Sequence, residues 1–284
     1  MITLTTRQKL FIARQLQSLT IAGFRLIGKG YDVEIMRRGV RWRLDLREGI
    51  DFSIWLLGAF EPRTLRQYER LIKPGDVALD VGANIGAHTL HLARAVGPSG
   101  RVIAFEPTDY AFGKLRVNLS LNPTLATRVD ANQMMLMERS APDEAPAVYS
   151  SWPLAPGAKA VHPLHGGALQ ACSGAKIVSL DDFVQRNRLE RIDLLKLDID
   201  GFECPMLRGA ADTLARLRPV IVMEFAPYVL GERGGSVREL VEILGAAKYG
   251  LQDVDTGKSL PMDTAKLESL IPWGGGRNIL ARPN

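Results

Sequence analysis

Residues 76 to 107 constrain this chain more than any other stretch. A strand-forming run, Val77-Ala78-Leu79-Asp80-Val81, leads into Gly82-Ala83-Asn84-Ile85-Gly86; a helical segment follows, then a second strand from Arg101 to Phe105 that ends in Glu106-Pro107. Strand, glycine turn, helix and strand in this order form a nucleotide-binding half of a doubly wound α/β sheet. Gly82 and Gly86 flank a turn where backbone comes close to a ligand, and the amides that open the next helix point back at it. Glu106 falls about 20 residues beyond the turn, where a carboxylate can accept both hydroxyl protons of a ribose. The loop lacks the G-x-G-x-x-G pattern that packs amides around a pyrophosphate, which argues against a dinucleotide. Asp80, two residues before the first glycine, suits a ligand that carries an ammonium group.

With 284 residues, 46% of them hydrophobic, the chain can fill one large α/β core with an N-terminal extension. Cys172 and Cys204 are its two cysteines and form no C-x-x-C, so a disulfide framework and a cysteine-rich zinc site are excluded. A reducing cytoplasm is the expected location. The first residues lack the apolar core of a signal peptide, and no charge-free apolar run approaches the roughly 18 residues of a spanning helix. Charge is uneven: residues 1–73 carry 14 Lys/Arg against 7 Asp/Glu, or +7, which leaves 22 against 24, or −2, for the remainder. The basic front end reads first as an ordinary solvated face, and it also suits an anionic lipid, a nucleotide-linked sugar or another carrier-linked substrate.

Apolar spacing predicts an amphipathic helix over residues 7–22 that ends at Gly23, a β-hairpin over 31–46, and helices over 49–60 and 63–71. Residues 1–73 are therefore expected to cap an α/β domain of residues 74–284. Within the latter, residues 134–178 read as a Pro/Gly-rich insertion that faces substrate through Trp152, His162 and His165. Alternation then resumes with a strand over 192–199, a single helix over 204–217, and the buried strand Val220 to Phe225. A final strand pair, Leu251 to Val254 and Asn278 to Ala281, reads as an antiparallel hairpin at the sheet edge.

Asp80, Glu106 and Asp198 all fall at carboxyl ends of strands, the edge where open α/β sheets bind ligands. Asp198-Ile199-Asp200-Gly201-Phe202-Glu203 places three carboxylates between a strand and a helix. Asp200 and Glu203 can serve as a capping box, whereas Asp198 can orient or deprotonate an acceptor hydroxyl. Asp198 with Asp200 could also begin a divalent site, but hard cations need more oxygen ligands than this loop supplies, and no metal is expected.

These stretches resemble the FkbM-type S-adenosylmethionine-dependent methyltransferases. The resemblance runs through Asp80 to Gly86 with His88-Thr89-Leu90, Ala104 to Pro107, Asn118, Ser179 to Phe183, Ile192 to Glu203, Leu207, Gly209-Ala210 and Pro219 to Glu224, so it covers about residues 75–226. Asp200 departs from it, because the family commonly has glutamate there. The resemblance implies a class I methyltransferase fold: a seven-stranded, mostly parallel sheet with helices on both faces, here behind an N-terminal helix and hairpin. It implies S-adenosylmethionine as donor, with Asp80, Gly82, Asn84, Gly86 and Glu106 around it, and O-methylation of a sugar or polyketide-like hydroxyl. Asp198 and His165 are the candidate catalytic residues. A small molecule or glycan is the expected acceptor and nucleic acid is not, since no D/N-P-P-Y/F/W motif follows the fourth strand. A non-catalytic S-adenosylmethionine-binding protein is the alternative from another class.

Overall fold

The computed structural model describes residues 6–26, 28, 30–154, 162 and 166–284. At its centre is an eight-stranded sheet. Its strands are β1 (Val77–Val81), β2 (Arg101–Phe105), β3 (Val129–Asn132), β4 (Leu194–Leu197), β5 (Val220–Phe225), β6 (Tyr249–Asp253), β7 (Ser259–Leu260) and β8 (Arg277–Pro283). They lie in the order β7-β6-β8-β5-β4-β1-β2-β3. Strands β1 to β5 are mutually parallel, and β8 enters between β5 and β6 antiparallel to both. The antiparallel pairing expected between the last two strands is present, but β8 lies inside the sheet beside β5 rather than at its edge. The eighth strand is the two-residue β7, which pairs with β6 at the edge. Strand order reverses between β1 and β4, so the crevice outside the carboxyl ends of these two strands is the natural ligand position.

Alternation along each strand divides the core. Leu79, Val81, Ile103, Phe105, Leu195 and Leu197 pack on one face with Leu180, Met206, Leu214 and Leu240 from the covering helices. Ala78, Val102, Leu194 and Val222 pack on the other, under the Pro62–Leu71 and Thr89–Ala95 helices. By the same alternation Asp80 points with Ala78, away from Leu79 and Val81.

The front segment forms the helix Thr6–Leu26, the hairpin Asp32–Arg37 with Val40–Asp45, and the helices Gly49–Leu57 and Pro62–Leu71. The first helix runs through Gly23, where an end was expected, because both sides of that glycine are anchored. Ile21 is buried against the hairpin side, and the Phe24 ring meets Trp55 edge-on at 5.8 Å. Trp42 and Leu44 of the hairpin are buried, and Asn118 Oδ1 accepts from Arg43 N at 2.9 Å, which ties the hairpin to the Asp109–Ser120 helix.

The 134–178 region is more regular than its sequence. Met134–Leu136, Lys176–Val178 and Ala141–Glu144 form one small sheet, and Val148–Ser151 pairs with Ala168–Gln170 in another. Backbone bonds fasten it to the front segment: Gly49 N donates to Trp152 O at 2.9 Å and Leu154 N to Arg47 O at 2.7 Å. Trp152 N also donates to Glu48 Oε2 at 3.1 Å.

Burial, followed by the neighbouring Asp51, raises the Glu48 pKa from its ordinary 4.5 to about 7. A carboxyl raised on folding contributes stability that is complete below pH 4.5 and is lost as pH rises through about 7. Glu48→Gln keeps an acceptor for Trp152 N and removes this titration. Its melting temperature by circular dichroism should exceed that of the wild type at pH 8, with the advantage shrinking towards pH 5. An advantage that is the same at both pH values would rule out Glu48 as the titrating group.

Candidate functional site

The carboxyl ends of β1, β2, β4 and β5 open on one cavity of about 650 Å³, with the front segment as its opposite wall. Gly82 and Ala83 follow β1, and both amides donate to Phe105 O, at 3.0 and 2.9 Å, so the turn is stitched to β2. Gly82 has φ +80, and a Cβ there would lie 1.9 Å from Asp198 O. Its bare Cα therefore lets the turn close on β4. Gly86 has φ +92 and yields space to Leu115 at 2.9 Å, so it serves packing of the Asp109–Ser120 helix and does not line the cavity.

Glu106 lines the cavity and is only 3% exposed. Thr108 donates to its Oε1 through N at 3.0 Å and through Oγ1 at 2.6 Å, and Asn84 N donates to Oε2 at 2.9 Å. Burial raises the Glu106 pKa while these bonds oppose the rise. Asn84 also lines the cavity, and its Nδ2 donates to Ser150 O at 2.8 Å. Ser150 Oγ lies 3.0 Å from Thr108 Oγ1. The strand Val148–Ser151 is thus bonded both to the glycine turn and to the segment that follows β2, and Tyr149 and Trp152 join the cavity wall with it.

Asp80 does not reach the cavity. It is fully buried, accepts from Thr89 Oγ1 at 2.6 Å, and forms an ion pair with Lys196 Nζ at 3.2 Å. A direct meeting of this carboxylate with a ligand ammonium, as the sequence suggested, is therefore replaced by an internal pair. Lys196 is the residue that sequence reasoning passed over. It stands beside Asp80 in the parallel register of β4 and β1, lines the cavity, donates to Gly82 O at 2.7 Å, and lies 3.7 Å from Asp198 Oδ2. Burial lowers its pKa, but Asp80 and Asp198 outweigh burial and raise it above the ordinary lysine value. The available signal was a lysine inside the otherwise apolar run Leu194-Leu195-Lys196-Leu197. A charge in a central strand needs a partner on the same face of the next strand.

Asp198 lines the cavity with its side chain 29% exposed. Asp200 and Glu224 face the same space, and burial, then the charge of Asp198, holds both well above the usual carboxylate range. Glu203 turns back to accept from Ile199 N at 3.1 Å, and burial pushes its pKa up to about 7. Glu61 and His88 complete the acidic end of the cavity, with His88 Nε2 3.7 Å from Glu61 Oε2 and Nδ1 3.0 Å from the Tyr68 hydroxyl. His162 does not line the cavity; it pairs with Glu232 at 3.1 Å, and its ring meets that of Tyr149 edge-on at 5.0 Å. His165 lies outside the described residues. Among the described residues, no three His, Cys, Asp or Glu side chains gather in a way that could hold a metal ion. The chemistry offered is that of a carboxylate-rich cavity with one buried ammonium, suited to a cationic ligand beside a group that must lose a proton.

The model of the FkbM methyltransferase domain matches residues 80–251. The chain is 31% identical over 179 residues to the 31-O-demethyl-FK506 methyltransferase FkbM of Streptomyces tacrolimicus, covering 53% of this chain and 65% of that protein. It is 25% identical over 177 residues to the hexuronic acid methyltransferase AglP of Haloferax volcanii, covering 62% and 64%. Among solved structures, a methyltransferase FkbM from Methylobacillus flagellatus KT superposes with a TM-score of 0.44 at 15% identity, over 83% of this chain and 56% of that one. The chain spans just under two thirds of the length of the curated relatives it matches.

Proposed function

The chain belongs to the FkbM methyltransferase family, and on that premise we propose that it transfers a methyl group from S-adenosylmethionine to a hydroxyl of a sugar or surface-glycan precursor. The observation that carries this reading is the convergence of Glu106, the Gly82–Asn84 turn and Asp198 on a single cavity. A cationic donor suits walls that carry Glu61, Glu106 and Asp198, to which Asp200 and Glu224, holding their protons to higher pH, add hydrogen-bonding groups rather than charge. When bound, the donor supplies an electrophilic methyl carbon on a sulfonium. Glu106 would accept from a ribose hydroxyl, since a carboxylate has about four lone-pair sites and the loop's three donors leave about one of them. Gly82 and Asn84 would form the floor beneath it. Asp80 would act through Thr89 and Lys196, holding the turn rather than the ligand. Asp198, on the far strand from Glu106, would orient the acceptor hydroxyl and take its proton. His165 is the second candidate for that step.

Trp152 and Tyr149 on the cavity wall supply rings on which a pyranose can stack, and AglP is named for a hexuronic acid. A second reading, methylation of a polyketide-like hydroxyl, is favoured by the apolar stretch Phe52, Leu56, Leu57 and Phe60 on the same wall. Donor binding tests the shared part of both readings. Glu106→Ala should weaken S-adenosylmethionine binding at least about tenfold, or about 1.4 kcal/mol, in calorimetry. Unchanged affinity in a folded variant would remove Glu106 from the donor site. Methyl incorporation into uronic-acid glycans against macrolide alcohols separates the two acceptors.

A further inference from the structure

The front wall of the cavity is also the least covered apolar surface among the described residues. On the Thr6–Leu26 helix, Ala13, Gln17, Ile21 and Phe24 form the face turned to the protein, and Gln17 Nε2 donates to Leu46 O at 3.2 Å. At 100° per residue, Ile12, Leu16, Leu19 and Leu26 form an adjoining stripe. These four are 47%, 41%, 73% and 87% exposed. Among the described residues, none covers this stripe of the helix. Leu56 and Leu57, at the end of the Gly49–Leu57 helix, are also exposed, as is Met36 on the hairpin. Ile12, Leu16, Leu56 and Leu57 line the cavity, so the exposed surface is continuous with its mouth.

Basic side chains border this surface. Arg37 Nε donates to Trp55 O at 3.2 Å, and Arg37 and Arg38 flank Gly58 just beyond Leu57. The segment that carries them, residues 1–73, has a net charge of +7. An apolar stripe edged by arginines complements a surface that is apolar within and anionic at its rim. No helix among the described residues is long and apolar enough to cross a membrane, so the contact would be one that lies on a bilayer.

We propose that the stripe formed by Ile12, Leu16, Leu19 and Leu26 with Leu56 and Leu57 docks on an anionic lipid bilayer, so that the cavity opens at the membrane surface. The acceptor then arrives with its apolar part in the lipid and its hydroxyl in the cavity. This inference extends the proposed function but does not depend on it, because lipid binding can be measured with neither donor nor acceptor.

Co-sedimentation of the full chain with phosphatidylcholine vesicles, with and without phosphatidylglycerol, tests it. Binding should be about tenfold or more tighter to the anionic vesicles, and Arg37→Gln/Arg38→Gln should remove most of that preference. Leu19→Glu/Leu26→Glu should weaken binding to anionic vesicles about tenfold or more, with circular dichroism and S-adenosylmethionine affinity unchanged, since both leucines lie outside the cavity. Failure of the wild type to sediment with anionic vesicles, or equal sedimentation of the leucine variant, would overturn the proposal. So would a dimer in analytical ultracentrifugation that the leucine variant dissociates, which would assign the stripe to a second copy of the chain.

Discussion

Lys196→Met is expected to destabilise the protein by about 3–5 kcal/mol, the usual loss when one partner of a buried ion pair is removed. Lys196 is 4% exposed and Asp80 is fully buried, so neither charge can be repaired by solvent. Without the ammonium, Asp80 retains the Thr89 hydroxyl as its hydrogen-bond donor while its other oxygen loses the cation at 3.2 Å. Gly82 O loses its 2.7 Å donor at the same time, which loosens the turn that carries Asn84. The melting temperature should fall by on the order of 10 °C. Asp80→Asn added to Lys196→Met should recover part of the loss, because a neutral amide tolerates an uncharged neighbour far better than a carboxylate does. An unchanged melting temperature in the single variant would mean that Asp80 and Lys196 do not depend on each other.

Asp198→Asn is expected to lower turnover about 100-fold or more, the common loss when a general base is removed, equivalent to about 2.7 kcal/mol. The substitution preserves shape. It also leaves Lys196 with Asp80, so the fold should stay intact. Donor affinity should change little, because Glu106 and the glycine turn lie on the other side of the β1–β4 boundary from the Asp198 side chain. Asp198 lies 3.7 Å from the Lys196 ammonium at the cavity, while burial and the charge of Asp198 raise the pKa values of Asp200 and Glu224, which therefore hold their protons to higher pH. Wild-type turnover in the Asn variant would move the base to another group, with His165 the next to replace.

The doubly wound frame was legible because its central strands, β1, β2, β4 and β5, are largely buried runs broken by turn signals, and because Glu106 follows the glycine turn at a spacing that topology dictates. The Asp80–Lys196 pair was not legible. Its partners meet only when β4 settles beside β1, and spacing along the chain carries no trace of that register. The helix expected over 204–217 is two, Glu203–Arg208 and Ala211–Arg216, for a similar reason. Asp181, from another helix, accepts from Asp212 N at 3.0 Å and Thr213 N at 2.8 Å, and so caps the second piece from a distance. Strands of three and four residues in the 134–178 region are too short for alternation to stand out from proline and glycine. The geometry of the candidate site was therefore readable where it rests on local turns, and hidden where it rests on contacts between distant strands.

Titrating the wild type and Glu106→Ala with S-adenosylmethionine and with NAD, side by side in a calorimeter, tests the central claim most directly. The expected result is saturable binding of S-adenosylmethionine to the wild type, at least about tenfold weaker binding to the variant, and no heat from NAD with either protein. Binding of NAD in preference to S-adenosylmethionine, or wild-type affinity for S-adenosylmethionine in the variant, would contradict a donor site built on Glu106 and the Gly82–Asn84 turn.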